Sequence, residues 1–163
     1  MKKYILDLKV KSVEKMAGRY SLLKLTSDQP LPTMIPGQFV EVRVDGSAAT
    51  YLRRPISINF VDKDHNEMWL LVAAIGDGTK HITSLVEGDN LNCVLPLGRG
   101  FTLPDNASQK FLLVGGGVGV APLLYMGKVM ADMGCQPTFL LGARSDKDLL
   151  MIDEFEKYGR VMV

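Results

Sequence analysis

The chain has 163 residues, 47% of them hydrophobic and 23% charged, which describes a folded globular protein with room for one large or two small domains. Lys and Arg number 19 against 18 Asp and Glu, and a net charge of +1 gives no excess that points to nucleic acid or an anionic membrane as the main partner. No run of about 20 apolar residues is present, so no transmembrane span is expected.

The first segment, "YILDLKVKSVEKM" at 4–16, alternates apolar and polar residues and reads as a strand, unlike the unbroken apolar core of a signal peptide. A cytoplasmic protein is therefore expected. Further strands are predicted at 19–27, 37–44, 54–62, 67–75 and 89–97, each short, rich in Val, Ile, Leu, Tyr and Phe, and bounded by turn residues. Six strands at this spacing point to a small antiparallel barrel, interrupted by one short helix at 79–87, "TKHITSLVE". After "LPDNASQ" at 103–109, the natural linker, the pattern changes to strand, helix, strand. "FLLV" at 111–114 is wholly apolar, as in a strand buried on both faces, and "APLLYMGKVMADMG" at 121–134 carries apolar residues at helical spacing. "PTFLLGARS" at 137–145 is a second strand, "DKDLLMIDEFEKYG" at 146–159 a helical stretch, and "RVMV" the beginning of a third strand. A doubly wound nucleotide domain uses about five or six strands, so the chain is expected to be a fragment or the product of a truncated gene.

Three stretches carry chemistry. In "VGGGVGVAP", glycines stand between a strand and a helix start, where free backbone N–H groups and the helix dipole favour an anion. Gly115 and Gly117 fit the first two glycines of G-x-G-x-x-G, but Val120 holds the sixth place, and a tight turn without a ligand stays open. "YLRRPISI" places two arginines ahead of a strand, where a guanidinium can clamp a diphosphate; two exposed arginines beside an edge proline are the plainer alternative. "VAAIGDGTKHIT" ends a strand and opens a helix at Gly76, Gly78 and Thr79, either a second phosphate cradle capped by Thr79 or an ordinary capped loop. His65 and His81 read as solvated bystanders. Cys93 and Cys135 are far apart and read as buried thiols, so no metal ligand set is predicted.

"PGQF" at 36–39, "RPIS" at 54–57, "GDGT" at 76–79, "PLGRGF" at 96–101, "GGGVGVAP" at 115–122 and "GARSDKDLL" at 142–150 follow one another in the order found in the ferredoxin-NADP reductase superfamily. Over essentially its whole length the chain most resembles the electron-transfer subunits of NAD-dependent dihydroorotate dehydrogenases. The resemblance implies a fold of β + α/β class. A six-stranded antiparallel Greek-key barrel at 1–103 would bind FAD, and an incomplete parallel-sheet domain at 110–163 would bind NAD(H).

By the same resemblance Arg54 contacts the FAD diphosphate, Pro55, Ile56 and Ser57 line the isoalloxazine with Ser57 near its reactive nitrogen, and Leu71, Val72 and Ala73 run along the cofactor. Many relatives have an aromatic residue where Ile56 stands. Gly78 and Thr79 would hold phosphates, and Gly116, Gly117, Val118 and Gly119 would face the nicotinamide nucleotide. Gly142, Ala143, Arg144 and Ser145 would lie by its adenosine end. Arg144 with no acid at the end of the second strand hints at NADP, whereas the resemblance implies NAD.

The implied role is to pass electrons to NAD in pyrimidine biosynthesis. They would come from dihydroorotate oxidised on a partner FMN subunit, through a 2Fe-2S cluster, in a hetero-oligomer. The cysteine-rich cluster-binding segment of the family is absent from this sequence. FAD binding without a cluster, and little dehydrogenase turnover, are the expectations. The alternatives are a flavin subunit of NADP-dependent ferredoxin oxidoreductase or sulfide dehydrogenase type, which the same motifs would fit, and a non-catalytic FAD-binding module.

Overall fold

The computed structural model describes residues 2–46 and 50–163. Strands β1 (Tyr4–Lys15), β2 (Tyr20–Thr26), β3 (Phe39–Val42), β4 (Arg54–Asp62), β5 (Glu67–Ala73) and β6 (Asn90–Leu97) close an antiparallel barrel in the order β1-β2-β5-β4-β3-β6. Non-consecutive neighbours such as β2 with β5 and β3 with β6 give the Greek-key connection. One apolar residue from each strand, Leu8, Leu23, Val40, Ile58, Leu70 and Leu95, is fully buried in a common core. Register in such a barrel follows from which alternate residues must be inside.

Helix α1 (Asp77–Ser84) leaves the end of β5. It begins two residues before the sequence-based start. Gly76 takes the cap position, and Thr79 is the third helical residue and not the cap. The Thr79 hydroxyl accepts hydrogen bonds from the Ile75 and Gly76 N–H groups at 3.0 and 3.1 Å. That hydroxyl therefore turns back to secure the loop.

The second layer is a parallel sheet of β7 (Leu112–Gly116), β8 (Thr138–Gly142) and β9 (Arg160–Met162), in that order. Helix α2 (Ala121–Asp132) covers one face. Gly127 allows this approach, because a Cβ there would lie 2.4 Å from the Phe139 ring. The other face corrects the expectation of a strand buried on both sides: Leu112 and Val114 are each 62% exposed, and Leu140 and Met162 share that side. An apolar run records that a face can be covered, and among the described residues no layer covers this one.

The stretch 146–159 is also not one helix. A short 3-10 turn, Asp146–Asp148, is followed by an extended break and by α3 (Ile152–Glu156). Met151 takes the left-handed conformation at φ 57°, and Leu150, Met151 and Phe155 enter the core. Burial of Leu150 and Met151 displaces the helical path that local spacing favours.

Candidate functional site

Barrel and sheet are tied where α2 begins. The Asn59 amide, fully buried on β4, donates to the Ala121 carbonyl at 2.9 Å, and the Tyr125 hydroxyl donates to the Met34 carbonyl at 3.1 Å. Phe60 packs edge-on against Tyr125 with ring centroids 6.0 Å apart. These contacts fix the turn ahead of α2 beside β4, two residues beyond Ser57.

The two arginines at the start of β4 have different surroundings. Arg53 reaches into the barrel wall, where its guanidinium donates to the Glu41 and Asn92 carbonyls at 3.2 Å and to Asn92 Oδ1 at 2.5 Å. Among the described residues the Arg54 side chain makes one hydrogen bond, Nε to the Leu52 carbonyl at 3.3 Å. It lies against the start of α1: a Cβ on Gly78 would stand 3.2 Å from Arg54 Cγ and Nε. Its remaining donors and the unpaired N–H groups of the first turn of α1 are thus brought together, with a glycine where a side chain would intrude. Asp77 also belongs to that first turn.

Next to this pair is a cleft of about 330 Å³ lined by Pro55, Ile56 and Ser57 from β4, by Leu71, Val72 and Ala73 from β5, and by Thr79. Val118, Gly119 and Pro122 form its sheet-side wall. The Ser57 hydroxyl has no hydrogen-bond partner among the described residues, so it is available to a ligand. Apolar walls, one free hydroxyl and an adjacent guanidinium fit a flavin nucleotide. Ile56 is half-buried in the wall, and no aromatic ring takes its place there.

The glycines between β7 and α2 divide by task. Gly115 is a packing position, since a Cβ would lie 2.8 Å from Leu123 and 3.2 Å from Val120 Cα. Gly117 adopts φ 52°, a left-handed conformation that glycine takes without strain, and it opens a 3-10 turn, Gly117–Val120. Gly119 faces open space.

A second cavity, about 740 Å³, adjoins the first and shares Ala73, Ile75 and Val118 with it. Gly116, Gly117, Val118, Gly142, Ala143 and Arg144 line it, which brings six of the motif residues into one cavity. Ser145 does not; its hydroxyl donates to Asp148 Oδ2 at 2.8 Å. Sequence reasoning missed Gly18, Arg19, Tyr20, Ile75 and Asp148, which also line the cavity. No acid stands at the end of β8, but Asp148, six residues later, lines the cavity at the end of the Asp146–Asp148 turn. Arg19 and Tyr20 had no signal beyond a turn and a strand start.

His81 is half-buried on α1 and lines neither cavity, and His65 pairs with Asp62 at 2.8 Å in the β4–β5 turn. Cys93 and Cys135 are both buried, and burial pushes the Cys93 thiol up to about 12. No group of three His, Cys, Asp or Glu residues is placed to hold a metal among the described residues. The two cysteines do not fit an iron–sulfur cluster.

Residues 113–162 match the family described as "Oxidoreductase NAD-binding domain". The dihydroorotate dehydrogenase B (NAD(+)) electron transfer subunit of Listeria innocua is 41% identical over 142 residues, 85% of this chain and 55% of that protein. The subunit of the same name from Desulforamulus reducens is 36% identical over 93% of this chain and 57% of its own length. The chain is a relative of the dihydroorotate dehydrogenase B electron transfer subunits. It spans 50% to 61% of the length of the curated relatives it matches, the upper figure being that of Listeria monocytogenes. Among solved structures, an NADH-dependent reduced ferredoxin-NADP oxidoreductase superposes with a TM-score of 0.83 at 28% identity, over 96% of this chain and 55% of that one. Phthalate dioxygenase reductase superposes with a TM-score of 0.76 at 25% identity, over 97% and 51%. The barrel followed by a parallel sheet is the ferredoxin-reductase-like fold of these proteins. No helix among the described residues is long and apolar enough to cross a membrane.

Proposed function

We propose that this chain is a flavin-carrying electron-transfer unit of a dihydroorotate dehydrogenase, which delivers electrons from dihydroorotate oxidation on a partner subunit to NAD. The observation that carries this reading is the meeting of the two cavities at Ala73, Ile75 and Val118. Ligands in the two would come together at that boundary. Residues 1–103 form the FAD-binding domain, and 110–163 belong to the NAD-binding domain.

FAD supplies the redox chemistry when bound, and the protein supplies position and electrostatics. Arg54 and the N–H groups at Gly78 and Thr79 hold its diphosphate. Pro55, Ile56, Ser57 and the Leu71–Ala73 segment line its ring, with the Ser57 hydroxyl free to hydrogen-bond there. Gly116, Gly117, Val118 and Gly119 approach the nicotinamide nucleotide, and Gly142, Ala143 and Arg144 its adenosine end. Asp148 accepts a ribose hydroxyl and repels an added phosphate, which favours NAD over NADP despite Arg144. No step of this reading runs through an iron–sulfur cluster on this chain.

The test is anaerobic titration of the FAD-loaded protein, with flavin absorbance as the signal. NADH is expected to bleach the flavin at lower concentration than NADPH, and Asp148→Asn is expected to narrow that preference. Retained flavin that neither nucleotide reduces would contradict NAD as the electron acceptor. A flavin subunit of ferredoxin oxidoreductase type is the second reading, favoured by the 28% identical structure and by Arg144. A clear preference for NADPH would select it.

A further inference from the structure

The larger cavity has walls of two origins. Residues 116–118 and 142–144 come from the sheet, whereas Gly18, Arg19 and Tyr20 come from the β1–β2 turn of the barrel. That turn is held firmly. Gly18 takes φ 64°, and the Arg19 carbonyl accepts the Ala74 N–H at 2.8 Å. Tyr20 is only 9% exposed, and its hydroxyl lies 3.4 Å from where a Cβ on Gly117 would stand. The Arg19 guanidinium carbon lies 5.9 Å from the Tyr20 ring centroid, beside the ring that lines the cavity.

Arg19, Arg144 and Asp148 are the charged residues of this lining. Neither arginine side chain has an ion pair or hydrogen-bond acceptor among the described residues, while Asp148 is engaged by Ser145. Two unpaired guanidinium groups facing one cavity leave it net positive and with free forked donors. An anion of two or more oxygens, such as a diphosphate, satisfies both the charge and the geometry. Resting on the reading of this cavity as the dinucleotide site, we infer that Arg19 binds the diphosphate of NAD(H) from the barrel side.

The nucleotide is then gripped by both layers. Its phosphates meet the glycine turn of the sheet and a guanidinium of the barrel, so changes in the β1–β2 turn weaken nucleotide binding without touching the flavin cleft. The test is calorimetric titration of the FAD-loaded chain with NADH, ADP-ribose and adenosine, for the parent, Arg19→Gln and Arg19→Lys. Arg19→Gln is expected to weaken NADH and ADP-ribose roughly 10-fold and leave adenosine unchanged, a loss in the range of one charge-assisted contact. Arg19→Lys should fall between the two. Unchanged ADP-ribose affinity in Arg19→Gln, with the parent binding well, overturns the role of Arg19 and leaves the nucleotide site standing. Equal losses for adenosine and ADP-ribose also overturn it, since the side chain then acts through shape. A parent that binds neither NADH nor ADP-ribose overturns both.

Discussion

Adjacent arginines take separate tasks at the start of β4. Arg53 satisfies the barrel wall through Glu41 and Asn92, and Arg54 turns toward the first turn of α1. Arg53→Ala is expected to destabilise the fold by about 1–3 kcal/mol, because charge-assisted bonds are lost and the buried Asn92 amide keeps only part of its pairing. Arg54→Ala should leave the melting temperature nearly unchanged and weaken FAD binding roughly 10-fold or more. Thermal melts and flavin titration of the two variants check this, and equal effects on both properties would contradict the division. The motif "RRP" reads as a diphosphate clamp or as two exposed arginines, and the sequence alone does not divide their tasks. Which arginine faces out depends on the pairing of Val42 with Arg54, a long-range register that local sequence does not carry. Asp148 was missed for a related reason: it is brought to the cavity by the path of the chain after β8 and not by its place in a motif.

At the scale of elements, the barrel strands were readable because apolar alternation and turn residues act locally. The stretch 146–159 was not, since burial of Leu150 and Met151 overrides its helical spacing. The glycine turn was partly readable. Its registry looked faulty against G-x-G-x-x-G because Gly115 serves packing while Gly117 makes the left-handed turn. Strands β1 and β5 carry a pH dependence of their own. Burial raises the Glu67 carboxyl, but hydrogen bonds from Lys11 at 2.5 Å and Trp69 at 2.9 Å outweigh it and hold the group below the usual carboxylate range. A depressed folded value stabilises the fold above the ordinary carboxylate pKa, and that contribution is lost as pH falls through the folded value. Stability of the parent should therefore drop on acidification below about pH 4.5, and Glu67→Gln should show a flatter decline. Parallel pH profiles from denaturant melts would count against this role of Glu67.

At the scale of the molecule, the candidate site lies where two layers meet. The barrel supplies Ser57, Ala73 and Arg19, the sheet supplies Gly117 and Val118, and Asn59 and Tyr125 hold the layers together. This juncture was only indirectly legible. Motif order pointed to ligand-binding loops in both halves, whereas their convergence depends on buried contacts such as Asn59 with Ala121. The open face bearing Leu112 and Val114 was not legible, because an apolar strand reads alike whether one face is covered or two. The proposed function requires that this chain bind a flavin nucleotide at the β4–β5 cleft. Gel filtration after incubation with FAD, followed by a visible spectrum of the protein peak, tests it most directly. Flavin absorbance co-eluting with the parent and reduced in Arg54→Ala is the predicted result; a protein peak free of flavin, with FAD eluting separately, would contradict the account.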